Sequence, residues 1–151
     1  MSVKQTAGKI LLVLYVLQLD NPVKLERTSV SFSTSGKPKL TTDSWLKTIL
    51  HSVNKDDAML YNGFNYLIDK GLIYQGNTSV HLGAISLRGI HITHSGIDII
   101  EGIEQGDEGR KTVKSLFSFN FNNNVTIDSL LKVEVGNIVG IGGAVSGKVG
   151  K

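Results

Sequence analysis

Two stretches decide which fold is predicted from this sequence: residues 57–76, DAMLYNGFNYLIDKGLIYQG, and residues 92–101, ITHSGIDIIE. The first stretch carries an apolar residue on each helical turn, which predicts a helix with the core stripe Leu60, Phe64, Leu67 and Ile68. Gly71 supplies its end, because glycine adopts the left-handed conformation that closes many helices without steric cost. In the second stretch, Thr93 precedes isoleucines at helical spacing and predicts a threonine-capped helix.

Two further helices are predicted upstream. Residues 3–19 are apolar on all sides, so the first helix is expected to be buried on more than one face, against the C-terminal segment or another subunit. Asp20-Asn21-Pro22 ends it, because proline cannot continue a helix. Residues 25–33 predict a short edge strand or an extended loop. A second helix follows, and its core face is Trp45, Leu46, Ile49, Leu50 and Val53. The turn after it offers Asn54 or Asp56 as the cap of the next helix.

The rest of the chain predicts strands and connecting segments. Residues 72–74 begin a hairpin and residues 90–93 return it, whereas residues 80–87 lack a regular pattern. Leu87-Arg88-Gly89 is expected at the hairpin tip or in a bulge. Residues 105–111 are polar with glycines and predict a linker. Strict alternation over residues 117–121, FSFNF, predicts a strand, and a short strand, a short helix and a Gly-rich tail follow.

The order of helix, glycine stop, hairpin and capped helix resembles the winged helix-turn-helix superfamily. Gly71-Leu72-Ile73 and Ile92-Thr93-x-x-Gly96-Ile97-x-x-Ile100 are similar to motifs of small bacterial and prophage-type winged-helix proteins. The resemblance covers roughly two thirds of the chain, a length typical of one domain. The loop between the first two helices is longer than in a minimal member, and the segment after Lys111 lies outside the family pattern.

The resemblance implies an α+β fold with three parts. A winged-helix domain is expected over residues 1–104 and a linker over residues 105–114. Residues 115–151 are expected to form an oligomerisation appendage, made of a β-hairpin, a short helix and the Gly-rich tail. A chain of 151 residues has room for one domain with such an appendage.

Composition limits the class of protein. Apolar residues make up 40% of the chain and charged residues 19%, which is typical of a globular protein. A net charge of +3 permits contact with phosphate without requiring it. The absence of cysteine excludes disulfides and thiol catalysis and agrees with a cytoplasmic location. The apolar run at residues 10–17 is shorter than the ~20 residues of a membrane span, and no small-residue cleavage site of a signal peptide follows it.

The resemblance makes the helix over residues 57–69 the candidate recognition helix for double-stranded DNA. Tyr61, Asn62 and Asn65 are its candidate base-reading residues, since amide side chains pair with adenine edges. Basic residues on loops, on the preceding helix and on the hairpin are candidates for phosphate contacts, namely Lys37, Lys39, Lys47 and Arg88. The carboxylates of Asp56, Asp57 and Asp69 oppose this reading, because they repel phosphates.

Self-association is the second expectation. The first helix has a second apolar face, and three phenylalanines alternate near residue 120, which makes the candidate oligomerisation residues Leu12, Val16, Phe117, Phe119 and Phe121. Large exposed apolar patches of this kind mark partner sites. The phenylalanines can cover the first helix within one chain or exchange between two copies.

These patterns predict a non-enzymatic, transcription-regulator-like DNA-binding protein that forms homodimers or higher oligomers. The alternative is a protein-interaction or scaffolding module with the same fold and no DNA contact. A weaker hypothesis is a membrane-acting effector that uses the Gly-x-x-x-Gly spacings of the tail. No catalytic motif, cofactor motif, small-molecule substrate or convergent metal-ligand spacing is recognisable, and His91 and His94 are expected to diverge.

Overall fold

The computed structural model describes residues 2–81 and 83–118 and shows a mixed α+β architecture. Six helices are α1 (Val3–Asp20), α2 (Pro22–Arg27), α3 (Ser44–Val53), α4 (Asp57–Asp69), α5 (His94–Glu101) and α6 (Asp107–Phe117). A short 3-10 helix, Gly102–Gln105, joins the last two. The strands are β1 (Val30–Ser33), β2 (Lys39–Leu40), β3 (Ile73–Tyr74), β4 (Asn77–His81), β5 (Ala84–Arg88) and β6 (His91–Ile92).

Helix α1 lies at the centre of the core. Ser2 caps it, with its hydroxyl accepting from the Gln5 backbone N–H while the Gln5 side chain accepts from the Ser2 backbone N–H. Its residues from Thr6 to Leu17 are buried except Lys9, so the all-round apolar pattern has the predicted consequence of burial on several faces. Helices α4, α5 and α6 pack around it within the same chain.

Helix α2 was not predicted, because the sequence indicated a strand or loop from residue 25 onward. Proline ends α1, but it also occupies the first turn of α2, where its missing N–H costs no hydrogen bond. Asn21 accepts from the Lys24 N–H and caps this helix. The strand predicted after it is present as β1, Val30–Ser33.

Helices α3 and α4 are the two helices that were predicted on either side of the turn at residues 54–56. The core face of α3 is buried at Leu46, Ile49, Leu50 and Val53, whereas Trp45 is partly buried. The Asp56 carboxylate accepts from the Ala58 N–H, as predicted for the cap of α4. Gly71 follows α4 with a φ of +70°, the left-handed conformation that the sequence indicated.

A four-stranded antiparallel sheet has the strand order β2-β1-β5-β4. β1 therefore lies between two partners, and the prediction of an edge strand is wrong. Residues 80–87 were predicted to be irregular, yet β4 and β5 pair from Asn77↔Arg88 to His81↔Ala84. Arg88 lies at the open end of this hairpin, far from its turn, so the predicted hairpin-tip position is also wrong.

A second, two-stranded ladder leads into the last helices. β3 pairs with β6 through Ile73↔Ile92, which confirms the predicted first and return strands. The Thr93 hydroxyl accepts from the Gly96 N–H and caps α5. Gly96 is required at this place, because a Cβ there would meet the backbone of Leu72.

Helix α6 occupies the segment in which the sequence suggested a polar linker. Val113 and Phe117 are buried one helical turn apart, so burial of this stripe on α1 outweighs the polar composition of residues 105–114. Phe117 ends a helix here and is no part of a strand. Tyr66 of α4 donates to the Leu116 carbonyl at 2.7 Å, and burial raises the pKa of this phenol.

The rest of the predicted appendage lies outside the described residues. This includes Phe119, Phe121, the hairpin, the short helix and the Gly-rich tail. The division of the chain at residues 104 and 115 therefore stays a prediction. Within residues 2–81 and 83–118, no helix is long and apolar enough to cross a membrane.

We expect Gly96→Ala to destabilise the protein. The added methyl would lie 2.6 Å from Cγ2 of Ile92 and collide with the Leu72 carbonyl oxygen. Overpacking of this kind costs about 1–3 kcal/mol, although alanine usually favours a helix. Gly36→Ala is the matched control, because no atom lies within 4 Å of its added methyl. Urea unfolding measures both, and equal midpoints for the two variants would contradict the close packing of α5 on Leu72 and β6.

Candidate nucleic-acid interface

The exposed face of α4 is polar and narrow. Asn62, Asn65 and Asp69 are exposed at helical spacing, and Leu60, Phe64 and Leu67 are buried on the opposite side. Gly63 lets this buried side approach α1, since a Cβ there would lie 2.9 Å from Cδ1 of Ile10. Asn62 and Asn65 are therefore held on the outside by the packing of α4 against α1.

Tyr61 has a different position from the one predicted for a base-reading residue. Its ring is partly buried and meets the Phe32 ring edge to face, with centroids 5.3 Å apart. Phe32 also contacts Phe64, at 6.1 Å between centroids. The tyrosine ring thus fixes α4 against β1, and the two asparagines remain the exposed amides of the predicted set.

Asp57 joins three elements at the start of α4. Its Oδ2 accepts from the Leu40 N–H at 3.0 Å, and its Oδ1 lies 2.6 Å from Nε2 of His51. The first contact ties α4 to β2, and the second ties α4 to α3. Because both oxygens are engaged and the residue is only partly exposed, this carboxylate is less available to repel a phosphate than an exposed one.

Two predicted basic residues flank this junction. Lys39 precedes Leu40 and is exposed on β2, and Lys47 lies one helical turn before His51 on the same side of α3. Lys37 is exposed in the loop that leads into β2. The structure therefore places Lys39 and Lys47 close to the two residues, Leu40 and His51, that contact Asp57 at the start of α4.

Arg88 belongs to a second basic area. It follows Leu87, which pairs with Val30, whereas Lys39 pairs with Ser33 at the other end of β1. Its Nε donates to the Ser29 hydroxyl at 3.0 Å. Lys24 lies 4.3 Å over the centroid of the Trp45 ring, a cation–π contact. Sequence reasoning could not tell whether Arg88 lies beside the other cations, because it does not reveal the register of the sheet.

The predicted oligomerisation residues that are described lie inside the chain. Leu12 is 2% exposed, Val16 is 7% exposed and Phe117 is 2% exposed, so none presents an apolar surface to a partner. The physical reason is that α5 and α6 fold back over α1, where Leu12 shares a small cavity with Ile103, Val113 and Phe117. Phe117 therefore covers α1 within one chain, which is one of the two roles that the sequence left open for the phenylalanines.

Sequence reasoning missed an apolar corner where the end of α1, α2 and the β3–β6 ladder meet. The large exposed apolar side chains of the described residues are Leu19, Val23 and Tyr74. Tyr74 lies against His91, with ring centroids 4.9 Å apart, and His91 lines a pocket of about 260 Å³ with Pro22 and Glu26. The sequence signal that could have indicated this corner is the pair of apolar residues, Leu19 and Val23, on either side of the helix break at Asn21-Pro22.

His91 lies on β6 and His94 at the start of α5, the strand and the helix start in which the sequence placed them. Among residues 2–81 and 83–118, no three histidine, aspartate or glutamate side chains come together in a way that could hold a metal ion.

Searches of this chain against protein-family models, curated proteins and solved structures find no match. What the chain binds is therefore inferred from the geometry and charge of its own surfaces.

We expect Asp57→Ala to loosen the junction of α3, α4 and β2. The change removes the acceptor of the Leu40 N–H and the partner of His51, and a lost charge-assisted hydrogen bond costs about 1.5–3 kcal/mol. Asp69→Ala is the control on the same helix, because Asp69 is exposed near its C-terminal end and its loss should cost under about 0.5 kcal/mol. Chemical denaturation at neutral pH measures both. A loss for Asp57→Ala no larger than the control loss would show that the junction does not depend on this carboxylate.

Proposed function

We propose that this chain is a non-enzymatic winged-helix protein that binds double-stranded DNA, with α4 as the recognition helix. The order of α1, β1, the α3–α4 pair and the β4–β5 hairpin supports the winged-helix assignment. The observation that carries the functional proposal is the exposure of Asn62 and Asn65, three positions apart on the second helix of a helix–turn–helix.

The side chains of α4 suit a groove. An α-helix fits the major groove of B-DNA, and asparagine forms paired hydrogen bonds with the N6 and N7 atoms of adenine. Asn62 and Asn65 are short and exposed, so they reach base edges only if the helix enters the groove. Tyr61 contributes by holding α4 against Phe32.

Charge favours an approach through the N-terminal half of α4. Lys39 and Lys47 belong to the two elements that contact Asp57 at this end, and the helix dipole is positive there. Asp56, the exposed cap of α4, accepts from the Ala58 N–H and opposes them with one negative charge. Asp57 at the same end is engaged by His51 and Leu40. Asp69 lies at the opposite end of the helix, which tilts away from the phosphates when the N-terminal half enters the groove, as in other helix–turn–helix proteins.

We expect the double substitution Asn62→Ala and Asn65→Ala to weaken binding to a preferred duplex by roughly tenfold or more. Each amide–adenine pair contributes about 1–3 kcal/mol of discrimination, and alanine removes both amides. The preferred duplex is first selected from a random library. Fluorescence anisotropy at two salt concentrations then compares the variant with the wild type.

Gln105→Ala is the control for this experiment, because it removes an exposed amide that lies outside α4. Its affinity should equal that of the wild type. The proposal fails if the wild type binds no duplex in a salt-dependent way, or if the double variant binds the selected duplex as tightly as the control.

The second candidate function is a protein-interaction module that acts through the apolar corner. Its support is that Leu19, Val23 and Tyr74, with exposed fractions of 69%, 56% and 51%, belong to the three elements that meet β6 at this corner. Contiguous apolar surface on a monomer marks an interaction site. A second copy of the chain is the partner to test first, since a dimer would present two copies of α4 to two half-sites.

We expect Leu19→Gln with Val23→Gln to weaken self-association, because the change removes most of the exposed apolar surface of the corner. Analytical ultracentrifugation over a concentration series measures this. Thr112→Gln with Ser115→Gln on the exposed side of α6 is the control and should leave association unchanged. A wild-type protein that stays monomeric at all concentrations, or a corner variant that associates like the control, would exclude the corner as a self-association surface.

A further inference from the structure

A pocket of about 260 Å³ lies where the end of α1, helix α2 and strand β6 meet. Its lining residues are Gln18, Pro22, Leu25, Glu26, Ile90 and His91. One buried water needs only about 10–15 Å³, so this pocket has room for a whole side chain. Half of the lining residues are apolar, and one of the six carries a carboxylate. We call this cavity the Glu26 pocket.

The walls of the Glu26 pocket are held in place by contacts between different elements. The Gln18 side chain of α1 accepts from the Ile92 N–H of β6 at 2.8 Å. The Tyr74 ring of β3 lies against the His91 ring, with centroids 4.9 Å apart. Leu25 of α2 is buried in the core. The pocket is therefore formed before any ligand enters it, which lowers the entropic cost of binding.

The Glu26 carboxylate is unpaired within the part of the chain that the structure describes. It forms no ion pair and no side-chain hydrogen bond with residues 2–81 and 83–118. Two cations lie on the same helix, but Lys24 is placed 4.3 Å over the centroid of the Trp45 ring. Arg27 is the next residue along α2, and successive side chains of a helix do not face each other. A cation that enters the pocket therefore meets a carboxylate without a competing partner.

His91 adds a second acceptor to the lining. Its Nδ1 atom lies 3.3 Å from the carbonyl oxygen of Gly89. A carbonyl oxygen can only accept, so Nδ1 carries the proton of this hydrogen bond. In the neutral imidazole the other ring nitrogen, Nε2, is then an acceptor. The pocket thus combines a carboxylate, an acceptor nitrogen and a pair of aromatic rings.

This combination selects among classes of ligand. A phosphate or carboxylate would be repelled by Glu26. A purely apolar ligand would cover the carboxylate and leave it without a hydrogen-bond partner, which is costly. A metal ion needs more protein ligands, and no three suitable side chains come together in residues 2–81 and 83–118. An organic cation with an apolar stem suits both the carboxylate and the apolar lining.

We propose that the Glu26 pocket receives an arginine side chain of a protein partner, a proposal that rests on the second candidate function and names the chemistry of that partner. The planar guanidinium group forms paired hydrogen bonds with a carboxylate and stacks on aromatic rings, whereas the lysine ammonium is a compact point charge. The methylene groups of the arginine pack on apolar surface, which Pro22 provides at the mouth of the pocket.

The surroundings of the pocket favour an arginine within a protein over a free cation. Each large exposed apolar side chain of the described residues adjoins a residue that lines the pocket, in the pairs Leu19 and Gln18, Val23 and Pro22, and Tyr74 and His91. In protein interfaces, a central arginine is commonly surrounded by contacts that exclude water from it. A free cation would leave these apolar side chains exposed, whereas apolar neighbours of a partner's arginine would cover them.

The experiment is an NMR titration of the isotopically labelled full chain with three probes. The first is N-acetylarginine methylamide. The second is the citrulline analogue, which has nearly the same shape and no charge. The third is the acetylated and amidated tripeptide leucine–arginine–leucine. Glu26→Gln removes the carboxylate from the pocket, and Glu108→Gln makes the same change at an exposed position of α6 as the matched control. Circular dichroism confirms that both variants are folded.

We expect the arginine probe to cause saturable shifts at the amides of residues 25–27 and 90–92. The citrulline probe should bind roughly tenfold more weakly, because it lacks the charge of the hydrogen-bond donor. Glu26→Gln should weaken binding of the arginine probe by a similar factor, and Glu108→Gln should leave it unchanged. The tripeptide should bind roughly fivefold tighter than the single arginine, since its leucines cover the apolar side chains around the pocket.

The outcomes separate this inference from the function on which it rests. Equal affinities for the arginine and citrulline probes, or equal affinities of the two variants for arginine, would overturn the inference. The second candidate function would then still stand on its own test by ultracentrifugation. A tripeptide that binds no tighter than the single arginine would overturn the protein partner in favour of a free cation. If the arginine probe and the tripeptide bind as expected while the wild type stays monomeric, the pocket assignment holds and a second copy is excluded as the partner.

Discussion

The rest of the structure depends on the burial of α1. A helix that is apolar on all sides needs cover on all sides, because exposed apolar area costs about 25 cal/mol per Å². One amphipathic helix can cover only one side of such a helix. The chain meets this need with α4 on one side, α5 and α6 on another, and β6 beside its C-terminal half. The positions of these elements follow from that one constraint.

The same constraint shapes the candidate interface. Because Leu60, Phe64 and Leu67 bind α4 to the core, its free surface is the polar stripe that carries Asn62 and Asn65. Asp57 sets the orientation of this stripe, since it ties α4 to both α3 and β2. The sheet is fixed in turn by Phe32, whose ring contacts α4 while the neighbouring serines face outward. Core packing thus determines which polar groups a ligand can reach.

Local signals in the sequence were sufficient for the helices and their ends. Asp56, Gly71 and Thr93 act within a few residues, so their roles could be predicted from the sequence. The hairpin of β4 and β5 could not, because residues 82–83, Leu-Gly, are not a strong turn signal and its stability depends on pairing with the distant β1. Helix α6 could not be predicted from its polar composition, because its structure depends on contacts with distant residues of α1 and α4. The same holds for the candidate site. The exposure of Asn62 and Asn65 follows from the helical period and could be predicted. The separation of Arg88 from Lys39 follows from the register of the sheet and could not.

The most direct test of the account is an NMR titration of the isotopically labelled chain with its selected duplex, which follows backbone amides one by one. If α4 enters the groove beside the sheet, the largest shifts should fall on residues 57–65 and on β1 and β2, and amides of α6 should move little. Shifts confined to the corner of α2, β3 and β6, or an unchanged spectrum at saturating duplex, would contradict it.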